Sequence, residues 1–163
     1  GDGDGDGDGD GDTGEPNCGD QTCDETQFCD WDSNFCGTRS WEEGMCEPRP
    51  DGCDDFYDPK CGCDGQIYGN ECEAHAAGID IDENGECTPP DGYFPCGPGF
   101  CFLGSNYCLL SISDVVGEPN WYTCEALPAA CSGNGDCGCL ANEVCGDMCE
   151  PSGEGFMLTC PGG

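Results

Sequence analysis

The reactive side chains of this sequence are its thiols, twenty cysteines in 163 residues that fall into two runs of ten. The first run is Cys18, Cys23, Cys29, Cys36, Cys46, Cys53, Cys61, Cys63, Cys72 and Cys87. The second is Cys96, Cys101, Cys108, Cys124, Cys131, Cys137, Cys139, Cys145, Cys149 and Cys160. Two chemistries suit such clusters. Cys137, Cys139, Cys145 and Cys149 can be drawn as four thiolates around a tetrahedral zinc ion. Alternatively, the even number of cysteines in each run lets each run close on itself through disulfides. Cysteine makes up roughly 12% of the chain, above the ~8–10% that marks a disulfide scaffold, and His75 is the lone histidine. The reading is therefore disulfides formed in an oxidising compartment, extracellular or at a cell surface, without structural zinc.

Carboxylates are the second chemical group. Thirty-five acidic residues stand against Arg39, Arg49 and Lys60, for a formal net charge of −32. Such a chain repels nucleic acid and anionic membranes and attracts basic proteins and divalent cations. Asp4, Asp6 and Asp8 before Gly9, with Glu15 at the twelfth position, satisfy the EF-hand loop formula, and Asp10 and Asp12 add further oxygens. A Gly-Asp repeat fits the front of that formula by construction, and no helix can flank it beside Pro16. The expectation is weakly bound calcium and no other cofactor. One histidine and one lysine exclude most acid/base and nucleophilic constellations, and no Gly-x-Ser-x-Gly or phosphate-cradling loop occurs. Carboxylate pairs need a shaped, partly apolar cleft to split their pKa values, and this chain has little interior from which to build one. The chain is read as non-enzymatic.

The elements that carry these groups are short. Residues 1–17, mostly Gly-Asp, read as a low-complexity acidic tether. Residues 18–87 form one cysteine-rich module, 88–95 a Pro-rich linker and 96–163 a second module. Cys18-Gly-x-x-x-Cys23 matches Cys96-Gly-x-x-x-Cys101, and Cys46-Glu-x-x-Pro-x-x-Cys53 matches Cys124-Glu-x-x-Pro-x-x-Cys131. Cys61-Gly-Cys63 matches Cys137-Gly-Cys139 in the same order, which argues for an internal repeat. Modules of roughly 70 residues bury too little to stand alone, whereas each well-placed disulfide adds about 2–4 kcal/mol. In the first module Asn70 can cap a helix whose first turn holds Glu71 and Glu73, with Gly78 ending it. His75 then sits on the helix surface, Ile79-Asp80-Ile81 alternates as a strand, and Asn84-Gly85 marks a turn. In the second, Tyr107 to Ser113 and Trp121 to Glu125 read as a hairpin. Tyr93, Phe94, Phe100, Phe102, Tyr107, Trp121 and Tyr122 supply either its remnant core or an exposed patch.

Within residues 46–87, Cys53-x7-Cys61-x6-Tyr68-x3-Cys72, with Asp64-Gly65, Tyr68-Gly69-Asn70 and a closing Gly85-Glu86-Cys87, resembles a Kazal domain. The resemblance implies bridges Cys53–Cys72 and Cys61–Cys87 around one short helix and a small antiparallel sheet. His75 stands where the family carries its fifth cysteine and Cys63 is extra, so Cys46 is expected to pair with Cys63. Kazal inhibitors offer serine proteases a rigid loop after the second cysteine of the motif, here Asp54, Asp55, Phe56 and Tyr57, with Asp55 at the primary specificity position. An acidic residue there suits only a protease with an acid-reading pocket. By analogy the second module pairs Cys124 with Cys139 and Cys137 with Cys160, leaving Cys131 to Cys145 or Cys149. The flanking pieces resemble cysteine-rich stretches that accompany Kazal-like modules in secreted or surface-tethered bacterial proteins.

The expected fold class is small and disulfide-rich with little secondary structure. It comprises two tandem cysteine-rich modules, the first ending in a Kazal-like α+β unit, the second mainly β and irregular. The expected function is a non-enzymatic extracellular structural or adhesive surface protein, a fibre subunit whose Gly-Asp tract contacts a neighbouring subunit. Its partners would be copies of itself or another surface protein. The alternative is a secreted Kazal-type inhibitor acting through Asp54–Tyr57 on an acid-selective serine protease. Neither reading involves nucleic acid, and no stretch approaches the roughly 20 apolar residues of a membrane span.

Overall fold

A computed structural model describes residues 17–132 and 136–162. The Gly-Asp tract, and with it the calcium candidates Asp4, Asp6, Asp8, Asp10, Asp12 and Glu15, lies outside the described residues. The fold is small and disulfide-rich, with ten bridges, short and mostly antiparallel sheets, and one α-helix among the described residues. No cysteine is free among the described residues, and such bonding fits an oxidising environment.

Each half opens with the same arrangement. Strands β1 (Asn17–Cys18) and β2 (Gln21–Thr22) make a tight hairpin. Strand β3 (Gln27–Trp31) then pairs antiparallel with β4 (Gly44–Pro48), setting Cys29 opposite Cys46. Neither cysteine bonds the one it faces: Cys29 takes Cys18 and Cys46 takes Cys23, which staples the small hairpin across the larger one. In the middle of the chain come β5 (Lys60–Cys61), β6 (Ile67–Tyr68) and helix α1 (Glu71–Ala77). The second half repeats the opening with β7 (Tyr93–Cys96), β8 (Gly99–Phe102), β9 (Asn106–Ser111) and β10 (Trp121–Ala126). There Cys108 faces Cys124, and the bridges are Cys96–Cys108 and Cys101–Cys124. Bridge separations are 11 and 23 residues in the first half and 12 and 23 in the second. Gly19 and Gly97 turn the small hairpins with φ of 64° and 60°, a left-handed conformation that costs glycine nothing.

After this common opening the halves diverge. In the second, β11 (Cys149–Ser152) and β12 (Gly155–Cys160) complete a four-stranded sheet in the order β10-β9-β12-β11, with β12 parallel to β9. In the first, α1 is bounded as its local chemistry dictates. The Asn70 side chain accepts a hydrogen bond from the Glu73 N–H, and Gly78 closes the helix at φ 87°. Ile79-Asp80-Ile81 forms no strand and contributes only a single bridge between Ile81 and Gly62. The halves meet in a sheet ordered β6-β5-β8-β7, where Lys60 faces Gly99 and the Cys61 N–H donates to the Pro98 carbonyl at 2.7 Å. Tyr93, which falls in the Pro-rich segment, already belongs to this sheet.

The core is four small clusters, each containing cystine sulfur. Phe94, Phe100 and Tyr107 are buried in them, whereas Phe102 and Trp121 remain exposed, so the aromatic set divides between core and surface.

Four expected bridges are not formed. Cys46 bonds Cys23 rather than Cys63, because the β3–β4 hairpin carries Cys46 beneath β2, and Cys63 bonds Cys36 instead. In the second half Cys124 bonds Cys101 rather than Cys139, the same hairpin geometry repeated. Cys137 bonds Cys149 rather than Cys160, and Cys131 bonds Cys139, neither Cys145 nor Cys149. Cys160, at the end of β12, takes Cys145. The analogy failed there because Cys61 lies on a strand while Cys137 and Cys139 share a 3-10 turn, Cys137–Leu140. Bridges Cys53–Cys72 and Cys61–Cys87 are present.

Candidate functional site

Asp54, Asp55, Phe56 and Tyr57 lie on an exposed segment without regular secondary structure between Cys53 and β5. Phe56 and Tyr57 are 71% and 60% exposed. Three connections hold this segment. The Cys53–Cys72 bridge ties its start to α1. The Asp58 N–H donates to the Gly69 carbonyl at 2.8 Å at its far end. Between them, Asn70 Nδ2 donates to the Asp54 carbonyl at 3.2 Å and to the Phe56 carbonyl at 3.0 Å.

Asn70 is thus used at both ends of its amide. Its Oδ1 accepts from the Glu73 N–H at 2.9 Å, capping the helix, while its two amide hydrogens span the Asp55 residue from either side. The side chain is 8% exposed, so these bonds compete little with water and keep most of their strength. A backbone held at the carbonyls before and after one residue presents that residue's side chain outward without letting the chain refold around it.

The support under Asn70 is also polar. The Tyr68 hydroxyl donates to Asp64 Oδ2 at 2.9 Å. Burial first, then the Asp64 carboxylate, pushes the Tyr68 phenol up to about 12. Asp58 pairs with Lys60 at 2.9 Å. Among the described residues of this arrangement no nucleophile stands beside a base.

Three polar side chains, His75, Asp80 and Glu83, make long-range contacts that their sequence context does not suggest. His75 is not a surface helix residue. It stacks on Phe28 with centroids 4.1 Å apart, and its Nε2 donates to Asp80 Oδ1 at 3.3 Å. Burial pulls its pKa down, but the Asp80 hydrogen bond and charge, with Glu71 and Asp30, outweigh that and leave it raised. Asp80 is itself buried and accepts from the Trp31 and Ile81 N–H groups, so it joins the first hairpin pair to the helix segment. Glu83, also buried, accepts from Asn120 Nδ2 and the Tyr122 hydroxyl across the two halves. Asp80 was read only as part of an Ile79–Ile81 strand, and no motif marked Glu83 beyond Asn84-Gly85, one position on.

The metal reading finds no ligands here. Cys137, Cys139, Cys145 and Cys149 are all disulfide-bonded. The close sulfur groups Cys18, Cys23, Cys29 and Cys96, Cys101, Cys124 are adjoining cystines, which lack the thiolate a metal needs. Among the described residues no helix is long and apolar enough to cross a membrane. No protein-family model, curated protein or solved structure matches this chain.

Proposed function

We propose that the chain is a secreted, non-enzymatic binding protein that presents Asp54–Tyr57 in substrate-like form to a serine protease with an acid-reading specificity pocket. The observation that carries this reading is the Asn70 amide, which fastens the carbonyls on both sides of Asp55 while the side chains of the segment stay in solvent. A segment already held in place loses little entropy on docking. The Asp55 carboxylate then decides the partner, because an apolar pocket offers it no donor and an acid-reading pocket does. The spacing resemblance to Kazal domains supports the same reading.

The common bridge pattern of the two openings supports a further element, duplication of a two-bridge hairpin unit. The fibre-subunit reading depends on residues 1–17, nearly all outside the described residues, and gains nothing from the loop geometry.

The test is inhibition of a panel of serine proteases selective for acidic, basic and large apolar residues. The wild-type chain should inhibit the acid-selective members, Asp55→Lys the basic-selective ones and Asp55→Leu those preferring large apolar residues. If none of the three chains inhibits any protease, the reading is wrong.

A further inference from the structure

Away from the loop, the two halves enclose a groove of about 470 Å³. One wall is Phe35 and Trp41 from the first half, and the other is Val115 and Val116 from the β9–β10 connection. Three of these are unusually open for apolar residues, Trp41 at 51%, Val115 at 54% and Val116 at 91%. Glu83 and Asn120 line the groove where the halves meet.

Glu83 supplies an independent sign of a ligand. The residue is 5% exposed, and both donors that reach it, Asn120 Nδ2 and the Tyr122 hydroxyl, go to Oε1. Oε2 is buried with no hydrogen-bond partner. Buried carboxylate oxygens are rarely left without a donor, and none of the three basic residues of the chain donates to this one. Arg39 lies over Phe35 at 4.8 Å, Arg49 donates to the Gln27 carbonyl at 2.8 Å and Lys60 pairs with Asp58. Two further carboxylates, Asp114 and Glu118, line the same groove. The missing donor is cationic by the charge around it and apolar-stemmed by the walls it must pass.

We propose that this groove binds a lysine side chain, flanked by apolar residues, on an extended segment of a partner protein. The alkyl stem lies between Trp41 and the two valines, and the Glu83 carboxylate, whose Oε2 is closed to solvent in the free protein, turns that oxygen toward the groove to accept from the ammonium. Lysine is favoured over arginine because a guanidinium gains most from bidentate pairing with two carboxylate oxygens, and here one of the two is already taken by Asn120 and Tyr122. The net charge of −32 speeds the approach of any basic partner but does not distinguish lysine from arginine. The proposal is independent of the Asp54–Tyr57 reading.

The experiment titrates the full disulfide-bonded chain with three capped tripeptides, acetyl-Leu-Lys-Leu-amide and its arginine and norleucine counterparts. Trp41 fluorescence and amide NMR shifts are the readouts. The expected order is lysine above arginine above norleucine, with at least a tenfold loss of lysine-peptide affinity in Glu83→Gln. That variant retains the oxygen that accepts from Asn120 and Tyr122. Val116→Lys, at a position too exposed to affect folding, should weaken the lysine peptide several-fold by placing a like charge at the mouth. Equal binding of the lysine and arginine peptides with no effect of Glu83→Gln, or shifts that map away from Phe35 and Trp41, would overturn the proposal.

Discussion

Replacing Asn70 by aspartate separates the two tasks of its amide. Aspartate caps a helix as well as asparagine does, and its charge suits the positive end of α1, so the bond to the Glu73 N–H survives. What is lost is Nδ2, and with it the bonds to the Asp54 and Phe56 carbonyls. Each such bond contributes about 1 kcal/mol net, so the loop should open more easily by about 2 kcal/mol, roughly thirtyfold. Asn70→Ala should lose both loop bonds and the cap, a further ~1 kcal/mol.

The assay is cleavage of the Asp54–Tyr57 segment by an acid-selective serine protease, followed by mass spectrometry with disulfides intact. Thermal unfolding is recorded in parallel. Asn70→Asp should be turned over as an ordinary substrate, roughly thirtyfold faster than the wild type, with its Tm lowered by the loss of about 2 kcal/mol but remaining above that of Asn70→Ala, which also loses the cap. Asn70→Ala should show the same fast cleavage and a lower Tm. If Asn70→Asp is cut no faster than the wild type, the Asn70 amide does not brace the loop. An Asn70→Asp midpoint as low as that of Asn70→Ala would mean that the loss is one of general stability.

Other outcomes follow from the same geometry. Because the folded state raises the His75 pKa above its ordinary 6.5, protonated His75 favours the fold. Its contribution is complete below that value and is lost as pH rises through the raised one. Tm measured across pH 5.5 to 9 in about half-unit steps should therefore fall over that window, and His75→Gln should flatten this step while leaving the acid-side titration of the carboxylates. Removing the Cys36–Cys63 bridge as a double serine variant should cost about 2–4 kcal/mol, read by thermal unfolding, and should leave Cys18–Cys29 and Cys23–Cys46 intact by peptide mapping. Gly44→Ala should destabilise the first hairpin pair by about 1–3 kcal/mol, because its methyl would lie 2.7 Å from Cys18 Sγ and 2.9 Å from Cys29 Sγ; an unchanged Tm would contradict that packing.

What could be read from the sequence was what is decided locally. Asn70, Glu71, Glu73 and Gly78 fix the ends of α1 within a few residues of one another, and the structure places the helix between them. The hairpin of Tyr107 to Ser113 with Trp121 to Glu125 needed only alternation and a turn, and β9 and β10 form it. Choosing among twenty cysteines needed tertiary information. Cys29 faces Cys46, and Cys108 faces Cys124, yet each bonds a cysteine of the preceding small hairpin. Spacing identifies such residues as neighbours but does not tell which sulfur points to which. His75, Asp80 and Glu83 were illegible for a related reason: their partners Phe28, Trp31, Asn120 and Tyr122 lie 37 to 49 residues away along the chain.

The crosslinked hairpin units also explain why polar side chains, rather than an apolar core, position both proposed binding surfaces. Leu140 and Leu158 are the only fully buried aliphatic side chains larger than alanine among the described residues, and both lie in the second half. The region between the halves contains Phe100 and two cystine sulfurs in its cluster, too little apolar surface to orient one half against the other. Orientation there comes from directional bonds: Cys61 N–H to Pro98, and Asn120 Nδ2 and the Tyr122 hydroxyl to Glu83 Oε1. Tyr122 shows the electrostatic consequence, its phenol pushed up by burial and then by the Glu83 charge it serves. Hydrogen bonds that fix an angle also fix the groove between Trp41 and Val116, just as Asn70 fixes the loop. In a chain whose stability comes from sulfur, single buried amides and carboxylates are left free to determine what the surface presents.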